Sequence, residues 1–230
     1  MHPERISPPR AVFLDALGTL IRMDDPTAAL CGLLAERHAI RIERPDARRA
    51  LLAEMVHYRG NCVSARDRET LGALRAQCAE IIRTQLAPTV DRLSAAELLA
   101  TLLDALHFEP FADAAPALRR WRAAGLSTVV VSNWDVSLHD VLDATGLRPL
   151  LDGVVCSAEV GRSKPDPAVF RAALEIAGVE PSEAVHIGDS AEDDVAGARA
   201  AGIAPILLRR DSTGPNGPVD VPTIVSLGEW

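Results

Sequence analysis

One pattern repeats through the second half of this chain: a run of helical length, a glycine, then a short apolar run. Residues 114–124 stop at Gly125 before the apolar stretch 126–131, and 136–145 stop at Gly146 ahead of 153–156. Residues 167–177, with Asp166 as N-cap and Pro167 in the first turn, stop at Gly178 ahead of 184–187. Residues 193–201 stop at Gly202 ahead of 204–208. Glycine takes the left-handed conformation that closes a helix at little cost. Repeated βα units with links this short imply an α/β fold, a parallel sheet with helices on both faces. Residues 223–227 read as the last strand and 214–222 as a surface loop.

The first strand lies far upstream. Ala11–Leu14 is a continuous apolar run that meets Asp15, and Gly18 and Thr19 then make a tight turn. Such a run suits a strand buried on both faces. Between 24 and 107 no strand pattern appears. Residues 27–38 read as a helix, Pro45 opens a second that runs through 58, and 66–86 has helical spacing. Ser94 and Glu97 form a capping box for 95–106. The expected organisation is therefore a sheet core from 1–22 and 108–230, interrupted by a helical subdomain over 23–107. The arginines of that insert, Arg48 and Arg49 among them, are candidates for lining an anion pocket.

Ligands of open α/β sheets bind beyond the carboxyl ends of the strands. Three strands here end in polar groups: Asp15, then Ser132 with Asn133, then Gly188 with Asp189. Asp193 and Asp194 follow at a helix start, where they also suit capping. Carboxylates gathered on one edge repel unless a cation joins them, and hard oxygen donors favour Mg²⁺. Lys164 sits in a Lys-Pro-Asp-Pro loop whose prolines stiffen it and aim the side chain.

Composition narrows the partners. A formal net charge of -8 over 230 residues argues against nucleic-acid binding. Four cysteines without a Cys-x-x-Cys pair read as reduced, mostly buried thiols, as expected of a cytoplasmic protein. Residues 1–10 lack the apolar centre of a signal peptide, and no apolar run has membrane-spanning length. The expected partner is a small anionic molecule, bound by a monomer or a homodimer.

Together these motifs resemble the haloacid dehalogenase-like (HAD) hydrolase superfamily. Asp15-Ala16-Leu17-Gly18-Thr19-Leu20 matches its first motif, Ser132-Asn133 its second and Lys164 its third. The fourth is matched by Gly188-Asp189-Ser190-Ala191-Glu192-Asp193-Asp194. The resemblance implies a Rossmann-like core with a helical cap inserted after the first strand. It implies that Asp15 is a nucleophile forming a covalent aspartyl intermediate, with Thr19, Ser132 and Lys164 as further catalytic residues. Ser132, Asn133 and Lys164 would bind substrate. Asp15, Asp189, Asp194 and the Leu17 carbonyl would hold Mg²⁺, with Asp193 the alternative to Asp194.

Leu17 departs from the family pattern. Phosphatases of the family place there a second aspartate that protonates the leaving group and later activates water. The expected function is thus a Mg²⁺-dependent phosphatase of small phosphorylated metabolites with weakened acid–base catalysis. The alternatives are a metal-independent 2-haloacid dehalogenase-type hydrolase, in which halide leaves without a proton, and a non-catalytic HAD fold that binds a ligand.

Overall fold

The computed structural model describes residues 8–210 and 220–230. The chain divides into two compact units, Met23–Glu109 and the flanking Met1–Arg22 with Pro110–Trp230. The flanking segments build the sheet. Its strands are β1 (Ala11–Leu14), β4 (Ser127–Ser132), β5 (Gly153–Cys156), β6 (Ala184–Gly188), β7 (Ala204–Leu208) and β8 (Thr223–Ile224). They lie in the order β5-β4-β1-β6-β7-β8, and each neighbouring pair is parallel. Two three-residue strands, β2 (Ile21–Met23) and β3 (Phe108–Pro110), pair at the two passages of the chain between the units. They are too short to show a period and were not expected.

Both faces of β1 are buried. Ala11 and Phe13 cluster with Val129, Val131 and Val155 and with Val169, Phe170 and Ala173 of helix α8 (Pro167–Ala177). Val12 and Leu14 alternate to the other face and are equally inaccessible. Burying a side chain such as Phe13 or Phe170 fully is worth about 1.5–3 kcal/mol. The helices of this unit besides α8 are α5 (Ala114–Ala123), α6 (Leu138–Ala144), α7 (Ser157–Val160) and α9 (Gly197–Ala200). The four glycines that close the repeats take positive φ, at 80° for Gly125, 69° for Gly146, 63° for Gly178 and 77° for Gly202.

Three expectations need correction. Residues 193–201 are not one α-helix: Ala191–Ala196 is a π-helical turn, and only Gly197–Ala200 is α. The cause is local, because Asp194 N and Val195 N both donate to the Ser190 carbonyl, at 3.0 and 3.1 Å, which widens the first turn. Helix α6 starts at Leu138 rather than 136, since the Asp135 side chain accepts from Ser137 N at 2.6 Å and holds a turn there. The last strand ends at Ile224 and is followed by a 3₁₀ turn over Leu227–Glu229. The loop expected over 214–222 falls mostly outside the described residues.

The other unit is helical: α1 (Pro26–His38), α2 (Arg44–Asn61), α3 (Arg68–Leu86) and α4 (Ala95–Ala105). The Ser94 capping box forms as expected, with Glu97 N on Ser94 Oγ at 3.2 Å and Ser94 N on Glu97 Oε2 at 2.9 Å. Leu30, Leu34, Leu71, Ile82, Leu98 and Leu102 supply the buried face. Arg44, Arg48 and Arg49 line an open cavity of about 570 Å³ with Asp25 and Leu52. All four cysteines are thiols, and Cys62, Cys78 and Cys156 are buried. Among the described residues no helix is long and apolar enough to cross a membrane.

Candidate active site

Strand register explains why distant residues meet. Leu14 lies beside Val130 of β4 and Ile187 of β6, so Asp15, Ser132 and Gly188 leave the sheet together at its carboxyl edge. Asp15 extends the ladder by one bond, its N–H donating to the Ile187 carbonyl at 3.0 Å. Its carboxylate is buried, and Oδ1 accepts from Ser132 Oγ at 3.0 Å and Lys164 Nζ at 2.6 Å.

Lys164 is the electrostatic centre. Its buried ammonium also donates to Asp194 Oδ1 at 2.6 Å. Burial disfavours a charged lysine, but the charges of Asp15 and Asp194 outweigh it and hold the group above its ordinary pKa. Burial likewise pushes the Asp15 carboxyl up; Lys164 opposes this and Asp194 adds to it. For Asp194 burial pulls upward too, yet Lys164 and then the hydrogen bond from His186 hold the carboxyl well below the usual range.

The sequence reading missed His186. This histidine lies inside β6, fully buried, with Nε2 2.8 Å from Asp194 Oδ1. To donate to a carboxylate Nε2 must carry a proton. Nδ1 is buried without a partner, and Phe170 packs edge-on against the ring at 5.0 Å. The available signal was a lone histidine in an otherwise apolar strand, two residues before Gly188-Asp189.

Asp15, Asp189 and Asp194 each offer an oxygen within 4.8 Å of the other two. The Asp189 carboxyl is pushed up to about 7, first by desolvation and then by the charges of Asp15 and Asp194. Crowded carboxylates, Asp15 and Asp189 among them with raised pKa values, fit a hard divalent cation, whose charge would offset their mutual repulsion. Asp194 belongs to this cluster; Asp193 does not, and its N–H is capped by Ser190 Oγ at 3.0 Å.

Two glycines make room for these carboxylates. Gly18 has φ 86°, and a Cβ there would lie 2.3 Å from Asp189 Oδ2. At Gly188 a Cβ would lie 2.1 Å from Asp194 Cγ. Gly188→Ala therefore has to displace Asp194 from Lys164 and His186. The expected result is a loss of about 1–3 kcal/mol in denaturant unfolding, together with weakened Mg²⁺ binding in calorimetry. Unchanged Mg²⁺ affinity in the folded variant would separate Asp194 from the cation site.

The remaining candidates take other positions. Asn133 clamps the Lys164 main chain, donating from Nδ2 to the Lys164 carbonyl at 3.1 Å and accepting from Lys164 N at 2.6 Å. The Thr19 hydroxyl is buried with no hydrogen-bond partner, while its carbonyl accepts from Arg210 Nη2 at 2.6 Å. Leu17 is half-buried and bridges to Ile21.

The parallel sheet thus carries a buried lysine and three clustered carboxylates at its carboxyl edge. The profile of the haloacid dehalogenase-like hydrolases matches residues 9–202, and the chain belongs to that family. A bovine (Bos taurus) haloacid dehalogenase-like hydrolase domain-containing protein 3 is 47% identical over 91 residues, 40% of this chain and 36% of that protein. A glyceraldehyde 3-phosphate phosphatase from Methanopyrus kandleri is 34% identical over 105 residues, 45% of each chain. The chain thus spans less than half the length of these relatives. Among solved structures, a HAD phosphatase from Thermococcus onnurineus superimposes with a TM-score of 0.66 at 25% identity, over 96% of this chain and 95% of that one. A 2-haloacid dehalogenase from Pseudomonas syringae pv. Tomato matches in fold with a TM-score of 0.66 at 23% identity, over 96% of each chain.

Proposed function

We propose that this protein is a Mg²⁺-dependent phosphohydrolase of small phosphorylated metabolites, with Asp15 as its nucleophile. The observation that carries the reading is the state of the Asp15 carboxylate. Both of its hydrogen bonds end on Oδ1, so Oδ2 is the oxygen left to attack. In the first step Asp15 attacks phosphorus, and the bond to the leaving oxygen breaks with its electron pair going to that oxygen. In the second, water attacks the aspartyl phosphate and releases inorganic phosphate. Ser132 and Lys164, which both donate to Asp15 Oδ1, would donate to the phosphoryl oxygens, and Asn133, bonded to the Lys164 main chain, would position Lys164. Asp15, Asp189, Asp194 and the Leu17 carbonyl would hold Mg²⁺, which would supply charge neutralisation for the transferring phosphoryl group. The relative from Methanopyrus kandleri, a phosphatase, supports this substrate class.

Leu17 shapes the test. An alkoxide leaving group needs a proton, and a leucine side chain has none to give. Missing general-acid catalysis costs about 10²–10⁴-fold. Acyl phosphates and p-nitrophenyl phosphate should therefore far outpace alkyl phosphates in a Mg²⁺-containing screen. Leu17→Asp should recover part of that gap, limited by how well the half-buried site accepts a second carboxylate beside Asp15. Equal rates across leaving groups would remove the missing-acid account. Turnover of 2-haloacids without Mg²⁺ would instead favour the dehalogenase reading, to which Leu17 is also suited.

A further inference from the structure

A second cluster of donors lies at the same edge of the sheet and has no part in the chemistry above. His139 is the second residue of α6, Cys156 ends β5, and Glu159 lies on α7. A ligand atom from each lies within 4.8 Å of the other two. His139 Nε2 and Glu159 Oε1 are 2.9 Å apart, with both side chains partly open to solvent. Cys156 is fully buried behind them. Val155 packs into the core cluster with Val131, so Cys156, one residue on, faces the opposite side of the sheet.

We infer that His139, Cys156 and Glu159 form a binding site for a borderline-soft divalent ion such as Zn²⁺. The donor types argue for this choice. One sulfur, one imidazole nitrogen and one carboxylate oxygen match the mixed N/S/O sets that hold Zn²⁺, and a thiolate is a poor ligand for Mg²⁺. Three protein ligands leave a fourth tetrahedral position for water or another small ligand. Cys156 and Glu159 lie three residues apart where β5 runs into α7, and His139 comes from α6; the buried strand end sets the sulfur, while the two partly exposed side chains adjust around it.

An ion at this place has to displace a tightly held thiol proton. Without one the Cys156 thiol is pushed up to about 12, by burial first and by the Glu159 carboxylate in addition. A bound cation reverses the second influence: it draws Glu159 to itself and stabilises the thiolate. The metal–sulfur bond forms as the thiol proton passes to solvent. The exchange needs no oxidant or reductant.

The probe is Co²⁺, added to the full chain in excess Mg²⁺ with a non-coordinating reductant present. Carboxylate-bound Co²⁺ gives only weak visible bands, whereas a thiolate ligand adds an intense near-ultraviolet charge-transfer band. The expected result is one equivalent of Co²⁺ with that band, displaced by Zn²⁺. Cys156→Ser should abolish it, and His139→Ala should weaken Co²⁺ binding by at least about tenfold. Absence of the band, or a band that survives Cys156→Ser through Cys31, Cys62 or Cys78, overturns the inference. Should Cys156→Ser fail to fold, the double variant of the exposed ligands, His139→Ala with Glu159→Gln, decides. Unaltered Co²⁺ affinity there overturns the site, and loss of the band with retained circular dichroism supports it.

Discussion

Asp15→Asn should abolish phosphate-ester turnover and leave the fold in place. The substitution keeps the shape of the side chain and an oxygen that can still accept from Ser132 Oγ, which now stands at 3.0 Å. Lys164 keeps its 2.6 Å bond to Asp194. What disappears is the negative charge and with it the attacking oxygen, because an amide is a very weak nucleophile. Loss of a nucleophile in other covalent hydrolases costs on the order of 10⁶ in kcat. Here the drop should take the rate to background with p-nitrophenyl phosphate, while the far-ultraviolet circular dichroism stays unchanged. Mass spectrometry of rapidly quenched wild type should find a phosphoryl adduct on the peptide containing residue 15, and none on the variant. Measurable turnover in a sample shown free of deamidation would move the nucleophile elsewhere.

How far such a site could be read in advance depended on what each residue does to local patterning. Asp15, Ser132 and Asp189 were legible because each interrupts an apolar run, and parallel strands bring such interruptions to one edge. The helix ends were legible because glycine at 125, 146, 178 and 202 marks a conformation that other residues resist. The turn at 191–196 was not, since a π turn and an α turn carry nearly the same spacing of small and acidic residues. Its extra width arises from a shared bond to the Ser190 carbonyl, which has no sequence signature. His186 escaped for the opposite reason. It sits in the strand's register like any core residue, and its role depends on a carboxylate eight residues on that folds back over Gly188.

Lys164→Met should separate structural from catalytic need at the same position. Methionine fills the volume of the lysine stem but carries no charge. Asp15 and Asp194 would then face each other across a buried space without their shared ammonium, which at present lies 2.6 Å from each. Removing one partner of a buried ion pair costs about 3–5 kcal/mol. In a chain of this size that lowers the melting temperature by roughly 6–20 °C. The loss is to be relieved by Mg²⁺, because the two carboxylates that lose Lys164 belong to the cluster that would bind the cation. A cation no longer repelled by the ammonium should bind more tightly, so apparent Mg²⁺ affinity rises even as turnover falls. The opposite signs are the diagnostic. If Lys164 only held the fold together, Mg²⁺ would restore stability and rate in step. If it orients Asp15 and offsets phosphoryl charge, saturating Mg²⁺ restores the melting temperature and leaves the rate far below wild type. Recovery of both, measured by calorimetry and by p-nitrophenyl phosphate hydrolysis on one preparation, would reduce Lys164 to a counter-ion.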